Sequence, residues 1–168
     1  SPTIMNCVIA DNLARSGGGV HCDNSSPAFI DCLFSRNVAA NWEYGGGAVC
    51  NLLSSPQLIR CTFRANSAPN IGGAILNASD SSPTLANCTF NGNSSGAGGA
   101  VCNAQDSNPT ILNCAFSGNA ASYGVGGMIN AYNSNPTLIN CTFVANATVE
   151  PDVTLANVYG SSPTLANC

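Results

Sequence analysis

Ten cysteines, one histidine and eight carboxylates are the side chains of this chain that could do chemistry. Seven cysteines recur in one phrase, Pro-x-φ-x-x-Cys, where φ is apolar: Cys7, Cys32, Cys61, Cys88, Cys114, Cys141 and Cys168. Cys22, Cys50 and Cys102 follow glycine-rich stretches instead. No Cys-x-x-Cys pair occurs and His21 is the sole histidine, so the spacing fits no metal site and implies no cofactor. Ten cysteines in a secreted chain ordinarily suggest a disulfide framework. Leu76, Ile129 and Ala156 replace Cys22, Cys50 and Cys102 in other repeats, and a site that accepts leucine or isoleucine is a packing site. Buried free thiols are therefore expected.

The carboxylates are Asp11, Asp23, Asp31, Glu43, Asp80, Asp106, Glu150 and Asp152. A polysaccharide lyase needs clustered acids to hold Ca²⁺ and a basic residue to take a proton. Asp80 and Asp106 lie at matching positions of successive repeats, with Asn133 next, and read as a turn ladder. Glu150 and Asp152 read as part of a solvated loop. Asp31 and Arg60 share an outward column and read as a surface ion pair. No serine or cysteine is placed beside His21 by spacing. The expected role is non-enzymatic, with no catalytic residue; a carbohydrate-active enzyme or an ice-binding protein are the alternatives. The ice-binding alternative rests on an outward row of Asn87, Thr89, Asn140, Thr142 and Thr62.

Only 7% of the residues are charged, about a quarter of the usual share, and the net charge is −4. Nothing here attracts a phosphate backbone or anionic lipid, which argues against nucleic acid and membrane partners. No apolar run approaches the roughly 18 residues a membrane span needs. A polar surface built from Asn, Ser and Thr suits an extracellular or cell-surface location.

The cysteine phrase is the anchor of a repeat. Its cysteines are spaced 25, 29, 27, 26, 27 and 27 residues apart, giving six repeats and the start of a seventh. Apolar segments too short for helices, bounded by Gly, Pro, Asn and Ser, read as strands. A unit of this size cannot bury its apolar face alone, but identical units stacked along an axis bury one continuous core. The fold expected is all-β: a right-handed parallel β-helix of about six coils, with strands about 4.8 Å apart and a length of roughly 29 Å. Like residues then stack on like. A cysteine column, a Phe column (Phe34, Phe63, Phe90, Phe116, Phe143) and an Asn column (Asn12, Asn37, Asn66, Asn93, Asn119, Asn146) follow. Strand alternation puts Ala86, Cys88 and Phe90 on the interior face, and Asn87 and Thr89 outside. Leu85 would need a bend beside Pro83 to turn inward. Residues 1–168 form one domain, expected to be an ordered section of a longer array.

The phrases "FSRN" (34–37), "FRAN" (63–66), "FNGN" (90–93), "FSGN" (116–119) and "FVAN" (143–146) pair with "GGAV" (46–49), "GGAI" (72–75) and "GGAV" (98–101). This pairing resembles the repeats of the chlamydial polymorphic outer-membrane proteins. It is also similar to a wider class of bacterial surface proteins with pectin-lyase-like right-handed β-helix repeats. The resemblance implies surface display and adhesion, as a stalk or an end-to-end stacked filament. The partners implied are the chain itself or a protein or glycan of another surface. Repeat five departs with "GGMI", and repeat six has "PDVTLANV" (151–158) instead of the glycine phrase.

Three site expectations remain. Repeat two is the longest and its extra residues include Trp42, Glu43 and Tyr44, a candidate ligand contact, since insertions in a solenoid become lateral loops. Six Asn-x-Ser/Thr sequons occur, of which Asn77 and Asn93 are the expected glycosylation acceptors. The seven column cysteines are the structural ladder.

Overall fold

A computed structural model describes residues 1–148 and 153–168. Every paired strand is parallel to its neighbours, and among the described residues there is no helix. The chain climbs as a β-helix whose coils contribute one short strand each to successive sheets. Coil four shows the path. It runs through Thr84–Ala86, Thr89–Asn91, Ser94–Ser95 and Val101–Asn103, each in a different sheet. The first sheet stacks seven strands, from Thr3–Met5 to Thr164–Ala166. The second sheet carries the Phe strands, and the short third sheet is continued through Ser67. The fourth sheet carries the glycine phrase, from Val20–Asp23 to Leu155–Asn157.

Corners between the sheets are made by residues with left-handed backbone. Between the first and second sheets they are Asn6, Asp31, Arg60, Asn87, Asn113, Asn140 and Asn167, all near φ 50–60°. Asn and Asp tolerate that region better than other non-glycine residues, which is why the residue before each column cysteine is so often Asn. The corner also corrects the expected facing. "TLANCTF" is two strands meeting at Asn87, not one continuous strand. Leu85 therefore points into the lumen and Ala86 points out, together with Ile30, Ile59, Leu112 and Ile139, which are half-buried. The bend lies at Asn87, not beside Pro83.

The lumen is filled by columns in register. Phe63 pairs with Phe34 below and Phe90 above. Consecutive rings from Phe34 to Phe143 stack with centroids 4.5–4.8 Å apart and planes within 7° of parallel. Leu58, Leu85, Ile111 and Leu138 form a second apolar column, and Val49, Ile75, Val101 and Met128 a third. Cys32, Cys61, Cys88, Cys114 and Cys141 are buried among them as free thiols. Cys7 and Cys168 belong to the outermost coils and are exposed, so the ladder is interior at five of its seven positions.

Buried polar ladders hold the coils in register. Asn93 Nδ2 donates to Asn119 Oδ1 at 2.9 Å and to the Phe63 carbonyl at 3.0 Å. Its own Oδ1 accepts from the Asn66 backbone and side chain at 3.0 and 2.9 Å. The same pattern runs from Asn12 to Asn146. A second ladder, Asn51–Asn77–Asn103–Asn130–Asn157, lies behind the fourth sheet with Nδ2–Oδ1 distances of 2.8 Å. Serines before the prolines add two more rungs of opposite sense. Ser81 N–H donates up the stack to Ser107 Oγ, whereas Ser82 N–H donates down to Ser55 Oγ.

The glycine phrase has a steric cause. A Cβ on Gly73 would lie 2.1 Å from the Gly99 carbonyl oxygen of the next coil, so no larger residue fits there.

Candidate functional site

The insertion in coil two leaves the third sheet after Val38–Ala39 and rejoins the fourth at Val49–Leu52. It carries Trp42 and Tyr44 into solvent, 67% and 45% exposed. Coil three holds it directly, and coil five braces that contact. Asn70 Nδ2 donates to the Trp42 carbonyl at 2.6 Å, and the Tyr123 hydroxyl donates to Asn70 Oδ1 at 2.6 Å. Tyr123 reaches back two coils by lying flat over Gly96, where an added Cβ would come within 2.3 Å of the ring. Coils two, three and five are thus tied together on this side of the molecule.

Beneath the insertion lies a second apolar cluster, outside the lumen. On the strand Ile75–Ala78, Ile75 faces inward while Leu76 and Ala78 face out. Cys50, Leu76 and Cys102 form one outward column, and Ala78 and Ala104 another, with Ile71 packed over them. Burial there pushes the Cys50 thiol up to about 11, against a smaller opposing hydrogen bond from Ser16, and the Cys102 thiol up to about 12.

This cluster floors a groove of about 350 Å³. Glu43 and Tyr44 from the insertion line it, together with Ser79, Gln105 and Tyr132 from the corners of coils three, four and five. Ser79 Oγ donates to Gln105 Oε1 at 3.1 Å, and Tyr132 stacks on Tyr159 at 4.8 Å with planes 10° apart. The groove thus combines an apolar floor with two exposed tyrosines and a few polar groups, a mixture common in ligand pockets generally. Of the expected trio, Glu43 and Tyr44 line this groove. Trp42 lines an adjoining open depression with Arg15 and Glu43. Tyr132 was not anticipated, because its column holds Leu53, Ser79 and Gln105 in earlier coils.

Several other expectations meet the structure differently. Ser16 Oγ lies 2.9 Å from His21 Nδ1, so His21 does have a serine partner, within its own coil. Cys22 aligns with Asn51, not with Cys50; His21 occupies the Cys50 column. Asn77 and Asn93 are fully buried in the two Asn ladders, which removes both as glycosylation acceptors in the folded chain. The outward Asn87 and Asn140 sit at a corner, while Thr62, Thr89 and Thr142 lie on the second sheet and are interrupted by Ala115 and Leu33. They do not form one flat array. Asp80 and Asp106 occupy successive corners with left-handed backbone, as does Asn133.

Arg60 grips Asp31 with two hydrogen bonds of 2.7 Å, and Arg36 grips Asp11 with two of 2.6 Å. The guanidinium hydrogen bonds hold both carboxyls below the usual aspartate range. Both pairs lie at corners flanking the second sheet, away from the groove. Glu150 and Asp152 lie outside the described residues. Among the described residues, no group of three or more His, Cys, Asp or Glu is placed to hold a metal ion, and no helix is long and apolar enough to cross a membrane.

No curated protein matches this chain, and no solved structure matches it. The family model described as the right handed beta helix region matches residues 1–168, the whole length. The match fixes the hand of the coil and agrees with the parallel ladders, the αL corners and the filled lumen: the chain belongs to the right-handed β-helix family.

Proposed function

We propose that this chain is a non-enzymatic structural and adhesive β-helix, displayed outside the cell or at its surface. In this reading the stacked coils are a stiff stalk, and the groove beside the coil-two insertion contacts a protein or glycan of another surface. The carrying observation is the apolar cluster of Cys50, Leu76 and Cys102 lying outside the lumen. Its Leu76, Ala78 and Ala104 line the groove together with Tyr44 and Tyr132, while Cys50 and Cys102 are buried beneath. A solenoid needs no such cluster for its own stability, because its core is already continuous inside. The likeness of the Phe-x-x-Asn and Gly-Gly-Ala phrases to bacterial surface adhesin repeats supports the same role.

Screening immobilised glycans and surface proteins with the wild-type chain and with Trp42→Ala and Tyr44→Ala tests this. Specific capture that falls by about tenfold in Tyr44→Ala, the loss expected when an aromatic contact is truncated, supports the proposal. Cleavage of acidic glycans, or capture indifferent to both substitutions, contradicts it.

A further inference from the structure

The charge around the groove selects among ligands. Among the described residues Glu43 is the one charged residue lining it, and Asp80 and Asp106 are the chain neighbours of the lining residues Ser79 and Gln105. None of these three carboxylates has a cationic partner within 4.0 Å among the described residues; the ion pairs there are Arg36–Asp11 and Arg60–Asp31. Arg36 and Arg60 are thus committed elsewhere. Arg15 lines the adjoining depression that Trp42 and Glu43 share, but forms no ion pair with Glu43 within 4.0 Å. The groove therefore combines unneutralised negative charge with the faces of Tyr44 and Tyr132 and an aliphatic floor. An ammonium on an aliphatic stem satisfies all three at once: the stem lies on Leu76 and Ala104, and the cation meets tyrosine faces and a carboxylate.

The shape selects further. Ser79, Gln105 and Tyr132 rise along three successive coils, and Tyr44 belongs to the coil before them. At about 4.8 Å per coil the groove runs roughly 14 Å along the stack, the reach of four or five residues of extended chain. A small free amine would occupy one step of it.

Resting on the adhesive reading above, we infer that the groove binds an extended, lysine-bearing peptide segment of a partner protein. An anionic polysaccharide is disfavoured by the same charges.

The test uses the full chain and a fluorescent capped pentapeptide alternating leucine and lysine. Its lysine-acetylated form and a neutral β-glucan hexasaccharide serve as comparisons. The expected result is saturable binding of the lysine peptide, weakened by about tenfold on acetylation and by a similar factor in Glu43→Gln, in line with removal of a charged partner. Added salt should weaken it further, while Thr110→Val on the first sheet leaves it unchanged. Equal binding of the acetylated peptide, or no binding of either peptide, overturns the assignment. Binding of the glucan alone, lost in Tyr132→Ala, overturns the cation while leaving the groove as the adhesive site. Tyr132 is exposed, so its truncation leaves the fold intact, which the melting temperature checks.

Discussion

Cys22 lies in register with Asn51 and leaves the Asn51 side-chain oxygen buried without a donor. In every higher coil of that ladder the oxygen accepts from the Asn one coil below. Coil one presents a thiol instead, a weak donor. Cys22→Asn should extend the ladder by one rung and raise unfolding free energy by about 1 kcal/mol, the usual net value of a hydrogen bond that relieves a buried orphan. Urea denaturation checks it, with Cys22→Ala as the comparison that should show no gain.

The buried Asn column should be far less tolerant. Asn93→Ala strips partners from the Phe63 carbonyl, the Asn119 oxygen and two Asn66 donors at once. A loss of about 3 kcal/mol or more is expected, since each buried polar group left unpaired costs about 1–3 kcal/mol. Asn113→Ala breaks only the exposed corner ladder to Asn87 and Asn140, and should cost about 1 kcal/mol, largely from its left-handed backbone.

Alkaline pH should destabilise the fold through the thiols. Burial pushes Cys22 and Cys50 up to about 11 and Cys102 up to about 12. Burial also pushes Cys141 up to about 11. An unfolded thiol titrates near 8.5, so above that pH the folded chain binds more protons than the unfolded one and stability falls. The contribution is complete below about pH 8.5 and is lost progressively as pH rises towards 11–12. Urea midpoints should therefore decline across that window. Replacing Cys102 by Leu, the residue at that place in coil three, should flatten the decline.

Thiol accessibility gives an independent check. A thiol-reactive dye should label Cys7 and Cys168 quickly in the native chain and the eight buried cysteines only on unfolding. Rapid labelling of Cys61 or Cys88 would contradict an interior cysteine column.

Tyr123 should act on the groove without touching it. Tyr123→Phe removes the hydroxyl that anchors Asn70, and Gly96→Ala displaces the ring. Either change should loosen the insertion, seen as altered Trp42 fluorescence anisotropy, with little change in melting temperature. The expected stability change is below about 1 kcal/mol, because Tyr123 and Asn70 are largely at the surface.

The coil and its ladders were legible because stacking makes the sequence repeat itself. Phe90 matches Phe63 and Phe116, and the 27-residue spacing reports the circumference of one coil. The facing of Ala86 is the exception, because alternation holds along a strand but not across the left-handed corner at Asn87. The signal that could have corrected it is the recurrent Asn or Asp before the column cysteine, residues suited to a left-handed corner. The second Asn ladder is also written in the sequence, as Asn51, Asn77, Asn103, Asn130 and Asn157, but Asn77 equally reads as a sequon. The site was only half legible. Insertions announce themselves by length, so Glu43 and Tyr44 stand out in the sequence as loop residues. Tyr132 lines the same groove from about 90 residues further along the chain, and no local pattern records that convergence.

Hydrogen–deuterium exchange of the full chain, with and without the tightest binder from the surface screen, tests the central claim most directly. The account predicts slowed exchange confined to 42–45, 70–72, 78–80, 104–106 and 132–133, on one side of four successive coils. Slowed exchange on the outer face of the first sheet, along Thr84, Thr110 and Thr137, with the groove unchanged, would contradict it.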